Sequence, residues 1–380
     1  MFIPRTLMQK IRDELLKSQK IILLYGARQT GKTTLINKIL AEIPGKQLHI
    51  NADELKYIEI LSSRDSGKLR LLVEGYDLLF IDEAQRVPDI GINLKILHDQ
   101  IPSLTIIATG SSSFDLANKV REPLTGRTRT FQLYPIAFDE LRQLFSPIEL
   151  SARLDEFLTF GMYPELFSLI NREDKIAYLR ELTTSYLYKD IFELTSIKFP
   201  KRLNDLLRLL AFQVGSQVSL KEIGQQLQMS KETVAMYIDL LEKAFVIFRL
   251  SGFSRNLRKE VTKMDKIFFW DIGVRNAIID NFNFPEHRND VGQLWENFII
   301  SERLKFRFNH QNFMRYYFWR TYTGAELDYV EEEQGQLKGY EIKWRKAKGK
   351  VPPSWAKAYP KASFEMITKE NFFNFISQPR

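Results

Sequence analysis

The chain contains no cysteine. That removes disulfides, a thiol nucleophile and every cysteine-based zinc site at once. Its four histidines (His49, His98, His287 and His310) are scattered and form no metal-ligand spacing. No apolar run approaches the roughly 20 residues needed to span a bilayer, so a membrane partner is not expected. The opening Met1-Phe2-Ile3-Pro4-Arg5 lacks the basic-then-apolar pattern of a secretory signal, and the expected compartment is cytoplasmic. Long repeats and low-complexity tracts are missing as well. What remains is the composition of a globular protein: 380 residues, 44% apolar and 13% aromatic, enough for two or three domains with real cores. The net charge of +8 is spread as 20 basic against 17 acidic residues in 1–145, 16 against 15 in 146–260, and 19 against 15 in 261–380. Such an excess is compatible with nucleic-acid binding but too mild to establish it.

One segment carries more chemistry than any other. Gly26-Ala27-Arg28-Gln29-Thr30-Gly31-Lys32-Thr33 fits G-x-x-x-x-G-K-[ST], the phosphate-binding loop. The apolar run Ile21-Ile22-Leu23-Leu24-Tyr25 precedes it, and the helix-like Thr34-Leu35-Ile36-Asn37-Lys38-Ile39-Leu40 follows. The two glycines let backbone N–H groups turn toward phosphate oxygens, and the helix start adds partial positive charge. Lys32 is expected on the β- and γ-phosphates and the Thr33 hydroxyl on Mg²⁺, with residues 26–34, Thr34 included, forming the nucleotide site.

Hydrolysis needs further groups. Asp77-Leu78-Leu79-Phe80-Ile81-Asp82-Glu83-Ala84 reads as an apolar strand ending in two acids. Asp82 suits the metal and Glu83 the attacking water. A third strand, Leu104 to Ala108, runs into Thr109-Gly110-Ser111-Ser112-Ser113. Polar residues at such a strand end sit where parallel sheets bind ligands. Ser111 or Thr109 is a candidate contact for the γ-phosphate or the water, against the plainer reading of a polar turn. In Leu124-Thr125-Gly126-Arg127-Thr128-Arg129 one arginine could offset charge on the transferred phosphoryl, in its own subunit or a neighbour's.

Strand and helix signals alternate up to about Glu140, which predicts a parallel sheet covered on both faces. Long helical patterns follow over Ala152–Leu158, Lys175–Phe192 and Arg202–Phe212, with a turn at Gly161-Met162-Tyr163-Pro164. Ser219 with Glu222 spells a capping box, and Leu220, Ile223 and Leu227 give that helix a buried face. After Met229-Ser230, the residues Val234, Ile238, Leu241 and Phe245 make one apolar stripe, and Val246 to Leu250 reads as a strand. The unit resembles a helix-turn-helix with a β wing. Its second helix, with Lys231, Glu232, Asp239, Glu242 and Lys243, is not a basic face; Arg249, Arg255, Arg258 and Lys259 on the wing side are better placed for DNA.

Near the C-terminus, Gly324 to Val330 reads as a strand, Glu331 to Gln336 as a turn, and Leu337 to Trp344 as the returning strand. Glu341 and Lys343 share a face, and an antiparallel hairpin could bring Asp328 to them. Glu296, on an upstream helix with Glu302, could supply another acid. Two carboxylates and a lysine in such an array can hold Mg²⁺ and activate water for phosphodiester hydrolysis. The plainer reading is a salt-bridge pair on a solvated sheet.

In this order the motifs become recognisable. The chain resembles a bacterial and archaeal family of AAA+ ATPases in which a P-loop module is joined to a winged helix and a C-terminal domain of unknown function with a restriction-endonuclease-like core. The resemblance rests on the loop at 26–33, Leu79 to Gln85, Thr109 to Ser112, Leu124 to Arg127, Gly161 to Glu165, Trp295 to Ile299, Glu326 to Tyr329 and Tyr340 to Trp344. It implies an α/β fold with three parts: an ATPase domain over 1–145, a helical and winged-helix domain over 146–260, and the nuclease-like domain over 261–380. It also implies ATP and Mg²⁺ as ligands, roles in binding and hydrolysis for Lys32, Thr33, Asp82 and Glu83, and a sensor position near Ser111. Arg127 falls on the family's recurring Gly-Arg pair, and Glu296, Asp328, Glu341 and Lys343 fall on the nuclease-like site. Asn37-Lys38 lacks the aspartate of a guanine-reading N-K-x-D, and ATP is favoured by the resemblance. The expected function is ATP hydrolysis regulating a DNA-associated nuclease-like domain. The alternative is a nucleotide-dependent switch or scaffold that binds DNA or a protein partner without cleavage. A homo-oligomer is compatible with both.

Overall fold

The computed structural model of the protein describes residues 2–111, 124–187, 200–254, 264–345 and 349–377. Five parallel strands form the first sheet: β1 (Ile21–Tyr25), β2 (Gln47–Asn51), β3 (Leu78–Asp82), β4 (Thr105–Gly110) and β5 (Thr128–Gln132), in the order β2-β3-β4-β1-β5. The interior places of β1 and β3 suit the sequence pattern, because both are apolar at nearly every position and fit strands covered on both faces. Alternation then divides them. Ile21, Leu23, Leu79 and Ile81 pack with Ile90, Leu94 and Leu97, while Ile22, Leu24, Leu78 and Phe80 pack with Leu7, Ile11, Leu35 and Ile39. The covering helices are α1 (Leu7–Lys17), α2 (Lys32–Leu40), α3 (Leu55–Leu61), α4 (Ser66–Leu72) and α5 (Ile90–Gln100). All strand C-termini therefore lie along one edge, where a doubly wound sheet binds its ligands.

A helical segment follows: α6 (Phe138–Leu141), α7 (Pro147–Ala152), α8 (Leu154–Phe160), α9 (Arg172–Glu181) and α10 (Pro200–Phe212). A π turn over Leu182–Leu187 extends α9; the rest of the helix expected to reach Phe192 lies outside the described residues. Gly161 ends α8 at φ +74°, and a Cβ there would stand 2.1 Å from Asp271 Oδ1. That close approach lets Asp271 accept the Met162 N–H at 2.8 Å. The pair α11 (Leu220–Leu227) and α12 (Lys231–Lys243) is capped by Ser219 and Ser230, whose hydroxyls accept from the N–H groups of Glu222 and Thr233. The buried stripe of α12 contains Val234, Ile238 and Leu241.

The second sheet is mixed. Its strands are β6 (Ile247–Gly252), β7 (Lys266–Phe269), β8 (Arg315–Arg320), β9 (Glu326–Glu333), β10 (Gln336–Ile342) and β11 (Ser363–Ile367), in the order β11-β10-β9-β8-β6-β7. β6 and β7 pair antiparallel, and β6 also runs parallel to β8 through Ser251 and Tyr317. One sheet therefore joins residues on both sides of the boundary expected near 260, and a single apolar core runs from Ile3 to Ile376. Helices α13 (Ile272–Ile278), α14 (Val291–Asn309), α15 (Pro353–Ala358) and α16 (Phe372–Ser377) complete the segment.

The C-terminal hairpin differs from its sequence reading. β9 continues through Glu331, Glu332 and Glu333, and the turn shrinks to Gln334 and Gly335. Both turn residues have positive φ, the geometry of a tight two-residue hairpin. The expected turn residue Glu331 is fully buried because Arg303 and Arg307 of α14 neutralise it at 2.7 and 2.8 Å.

Candidate nucleotide site and a second acidic pocket

The loop at 26–33 leaves β1 in the middle of the first sheet. A Cβ on Gly26 would lie 2.2 Å from the Leu133 carbonyl oxygen, so the close pass beside the end of β5 requires glycine. Gly31 stands at φ +91° as the cap residue of α2. Lys32 is buried, 6% exposed, and its ammonium donates to the carbonyls of Gly26 and Ala27 at 2.9 and 3.0 Å. Thr33 Oγ1 donates to Asp82 Oδ2 at 2.8 Å. The Thr109 hydroxyl, at the end of β4, donates to the other Asp82 oxygen. Three elements that lie far apart in sequence thus meet on one carboxylate. Glu83 follows in the left-handed region at φ +53°, sparsely used by non-glycine residues, and its carboxylate accepts from the Gln85 amide. Ser111 is fully buried next to Gly110. Thr34 is exposed at the start of α2. Ser112 and Ser113 lie outside the described residues.

The structure adds two residues that no motif announced. Arg5 is buried and donates to the loop carbonyl of Thr30 at 2.9 Å, to the Tyr134 carbonyl at 2.6 Å and to Glu140 Oε2 at 3.0 Å. Glu140 also accepts the N–H groups of Thr6 and Ala137. Beside this brace a cavity of about 180 Å³ opens between Phe2, Ile3, Thr30, Thr34, Ile136 and Pro164.

Arg127 is not brought to the loop. It precedes β5, whose first residue Thr128 is paired with Ile21, whereas the loop leaves after Tyr25. Five residues of strand, about 16 Å, separate the two edges. Its guanidinium is engaged by Asp99 in a two-pronged contact of 2.7 and 2.9 Å, and hydrogen bonds from Arg127 and then His98 hold the Asp99 carboxyl at about 2. A catalytic role for Arg127 on its own chain's loop does not fit this position.

On the expected wing, Arg249 is paired with Asp239 and Glu242 of α12, so it offers less net positive charge than its sequence position suggested. Arg255, Arg258 and Lys259 lie outside the described residues.

The C-terminal candidates do converge. Asp328 of β9, Glu341 of β10 and the adjoining Lys343 come together, with the Lys343 ammonium 2.5 Å from Glu341 and 3.7 Å from Asp328. Asp328 Oδ2 also accepts the Ile342 N–H at 2.7 Å. Glu296 of α14 approaches from the helix layer, while Glu302 turns away to Lys305 and the Phe138 N–H. Two residues that were not site candidates complete the pocket: Glu326, which shares a face of β9 with Asp328, and Lys266, which lies 3.1 Å from Glu296 and 2.6 Å from Glu326. Burial, then the charge of Asp328, pushes Glu296 up to about 8 and raises Glu341 as well. Burial works to lower Lys266, but the charges of Glu296 and Glu326 outweigh it and hold the ammonium at about 12. Among the described residues, no trio of carboxylates or imidazoles is arranged around a common metal position.

Comparison with known proteins agrees with the first site. Residues 18–142 match the family profile of an AAA domain; residues 151–284 and 291–369 match two domains of unknown function, DUF8612 and DUF4143. An uncharacterised protein of Mycobacterium tuberculosis is 27% identical over 327 residues, covering 85% of this chain and 70% of its own length. Another, from Methanocaldococcus jannaschii, is 29% identical over 304 residues, covering 68% of this chain and 62% of its own. Among solved structures, a Walker-type ATPase of Pyrococcus abyssi aligns with a TM-score of 0.50 at 17% identity, over 72% of this chain and 94% of that one; at that identity the likeness is one of fold. The matching profile and the strand–loop–helix geometry support a P-loop AAA-type ATPase module in the first third of the chain. No helix among the described residues is long and apolar enough to cross a membrane.

Proposed function

We propose that the protein binds and hydrolyses ATP with Mg²⁺, and that this cycle regulates the DNA-associated, nuclease-like part of the chain. The observation that carries the first half is the bond from Thr33 to Asp82, which joins the loop to the end of β3. With ATP in place, Lys32 gives up its loop carbonyls and turns its ammonium to the β- and γ-phosphates. Thr33 and Asp82 would hold Mg²⁺, which would supply positive charge beside the phosphates. Glu83 orients the attacking water, and Ser111 and Thr109 line its approach. The cavity between Phe2, Ile3 and Pro164 is the place for the base. Arg127, remote from its own loop, is assigned to the site of a neighbouring copy, which makes the active form a homo-oligomer. Replacing Lys32 by alanine tests the site: binding of a fluorescent ATP analogue is expected to vanish, and unchanged binding would refute it.

Support for the second half comes from the layout. The α11–α12 pair followed by the β6–β7 hairpin has the order of a winged helix. A mixed sheet with Asp328, Glu341 and Lys343 at one end, and Glu296 on the packed helix, has the order of a restriction-endonuclease-like core. α14 carries Glu296 near its start, contacts the ATPase segment through Glu302 and Phe138 N, and offers the Asn309 carbonyl to Lys10 at 2.7 Å. A second reading, a switch or scaffold that binds DNA or protein without cutting, is favoured by one observation: Lys266 stands among the acids where a metal would be needed. DNA cleavage with Mg²⁺ and ATP, wild type against Glu341→Ala, separates the two. Cleavage lost in the variant supports the nuclease, and no cleavage of any DNA form supports the scaffold.

A further inference from the structure

The acidic pocket already contains a cation. Lys266 opens β7, its main chain fixed by pairing with Leu250 of β6, and its side chain is 4% exposed. The ammonium bridges Glu296 of α14 and Glu326 of β9. Its charge also lies over the face of Phe318, 5.5 Å from the ring centre. The rest of the pocket is served in the same way. Lys343 stands on Glu341 and Asp328, and Arg320 lies 3.7 Å from Glu326.

Carboxylates withdrawn from water must be paired, and here the pairing comes from the chain itself. A divalent ion would need oxygens from at least two of these groups at about 2.0–2.6 Å. The ammonium already lies 3.1 Å from a Glu296 oxygen and 2.6 Å from a Glu326 oxygen, so an ion drawing on these two carboxylates and the ammonium would compete for one volume and repel each other in it. The residues present therefore do not fit a bound metal in this arrangement.

We propose that Lys266 is a resident counter-cation that takes the metal position of the C-terminal acidic pocket, so that the pocket binds no divalent ion while β7 is paired in the sheet. The inference rests on the nuclease-like reading only for its choice of rival occupant.

The test is a titration of the full-length chain with Mn²⁺ alone, without nucleotide, read by calorimetry and by the melting temperature. Wild type, Lys266→Met and Lys266→Met combined with Glu296→Gln share the same P-loop background, so differences report the pocket. Wild type is expected to show no binding that depends on Glu296. Lys266→Met is expected to gain one Mn²⁺ site at least tenfold tighter than any in wild type, and the double variant to lose it. If Lys266→Met does not fold, Lys266→Gln takes its place. If neither folds, the wild-type titration against Glu296→Gln decides. Mn²⁺ binding by wild type that disappears in Glu296→Gln would overturn the proposal, as would a folded Lys266 variant that gains no site. DNA cleavage is scored separately: a Lys266→Met chain that binds Mn²⁺ yet cuts nothing would count against the nuclease reading and leave the counter-cation standing.

Discussion

At Gly26 a single added methyl group decides whether the phosphate loop can form. The methyl of Gly26→Ala would press on the Leu133 carbonyl oxygen, which belongs to the backbone and has no rotamer to escape into. We expect a stability loss of about 1–3 kcal/mol and loss of nucleotide binding, checked by denaturant titration with and without ATP. Glu296 gives a prediction of another kind. Its folded-state pKa is raised above the ordinary 4.5, to about 8, so the folded chain keeps a proton that the unfolded chain releases. Stability from this group is fully present below about 4.5 and is lost as pH rises toward 8. Glu296→Gln should flatten that part of the pH–stability curve, while a slope identical to wild type would show that Glu296 ionises freely in the fold.

Among the elements, β9 and α14 are locked by Glu331 between Arg303 and Arg307, with side chains no more than 1% exposed. Removing one partner of a buried ion group leaves the others unpaired, so Glu331→Met should cost about 3–5 kcal/mol, measured as a shift in the chemical unfolding midpoint. A change below about 1 kcal/mol would mean that water reaches the arginines. The same element shows where sequence reading succeeds and where it stops. Three strands of the first sheet, β1, β3 and β4, and the loop were legible because their signals are local: apolar runs of about five residues, polar ends, and glycines at fixed spacing; β2 and β5, mostly polar and only partly buried, were not. Glu331 looked like turn because three consecutive glutamates are polar, and nothing nearby in the chain names Arg303 and Arg307, some 28 and 24 residues away. Arg5 was silent for the same reason, since its partner Glu140 is 135 residues distant. Lys266 was silent because its carboxylates arrive from α14 and β9. Asp328, Glu341 and Lys343 were found because a hairpin brings them together at short range. Their pairing with further cations is a tertiary fact that spacing does not carry.

For the whole molecule, the helical segment and the second sheet share one core, and α14 runs about 20 Å from Glu296 in the acidic pocket to Asn309, which meets Lys10 of the ATPase segment. The basic excess is modest, and Arg249 is already paired within the α11–α12 unit. If about three phosphates are neutralised, DNA affinity should fall on the order of 40-fold between 50 and 200 mM salt; a flat response would point to a protein partner. If the loop, Asp82 and Glu83 form one hydrolytic site, steady-state ATP turnover with Mg²⁺ by wild type and Glu83→Gln, measured alongside ATP binding by both, will separate the two proteins. Binding is expected to be unchanged and kcat to fall about 10²–10⁴-fold in the variant. Wild-type turnover in Glu83→Gln, or no turnover by wild type in any oligomeric form that binds ATP, would contradict the single site.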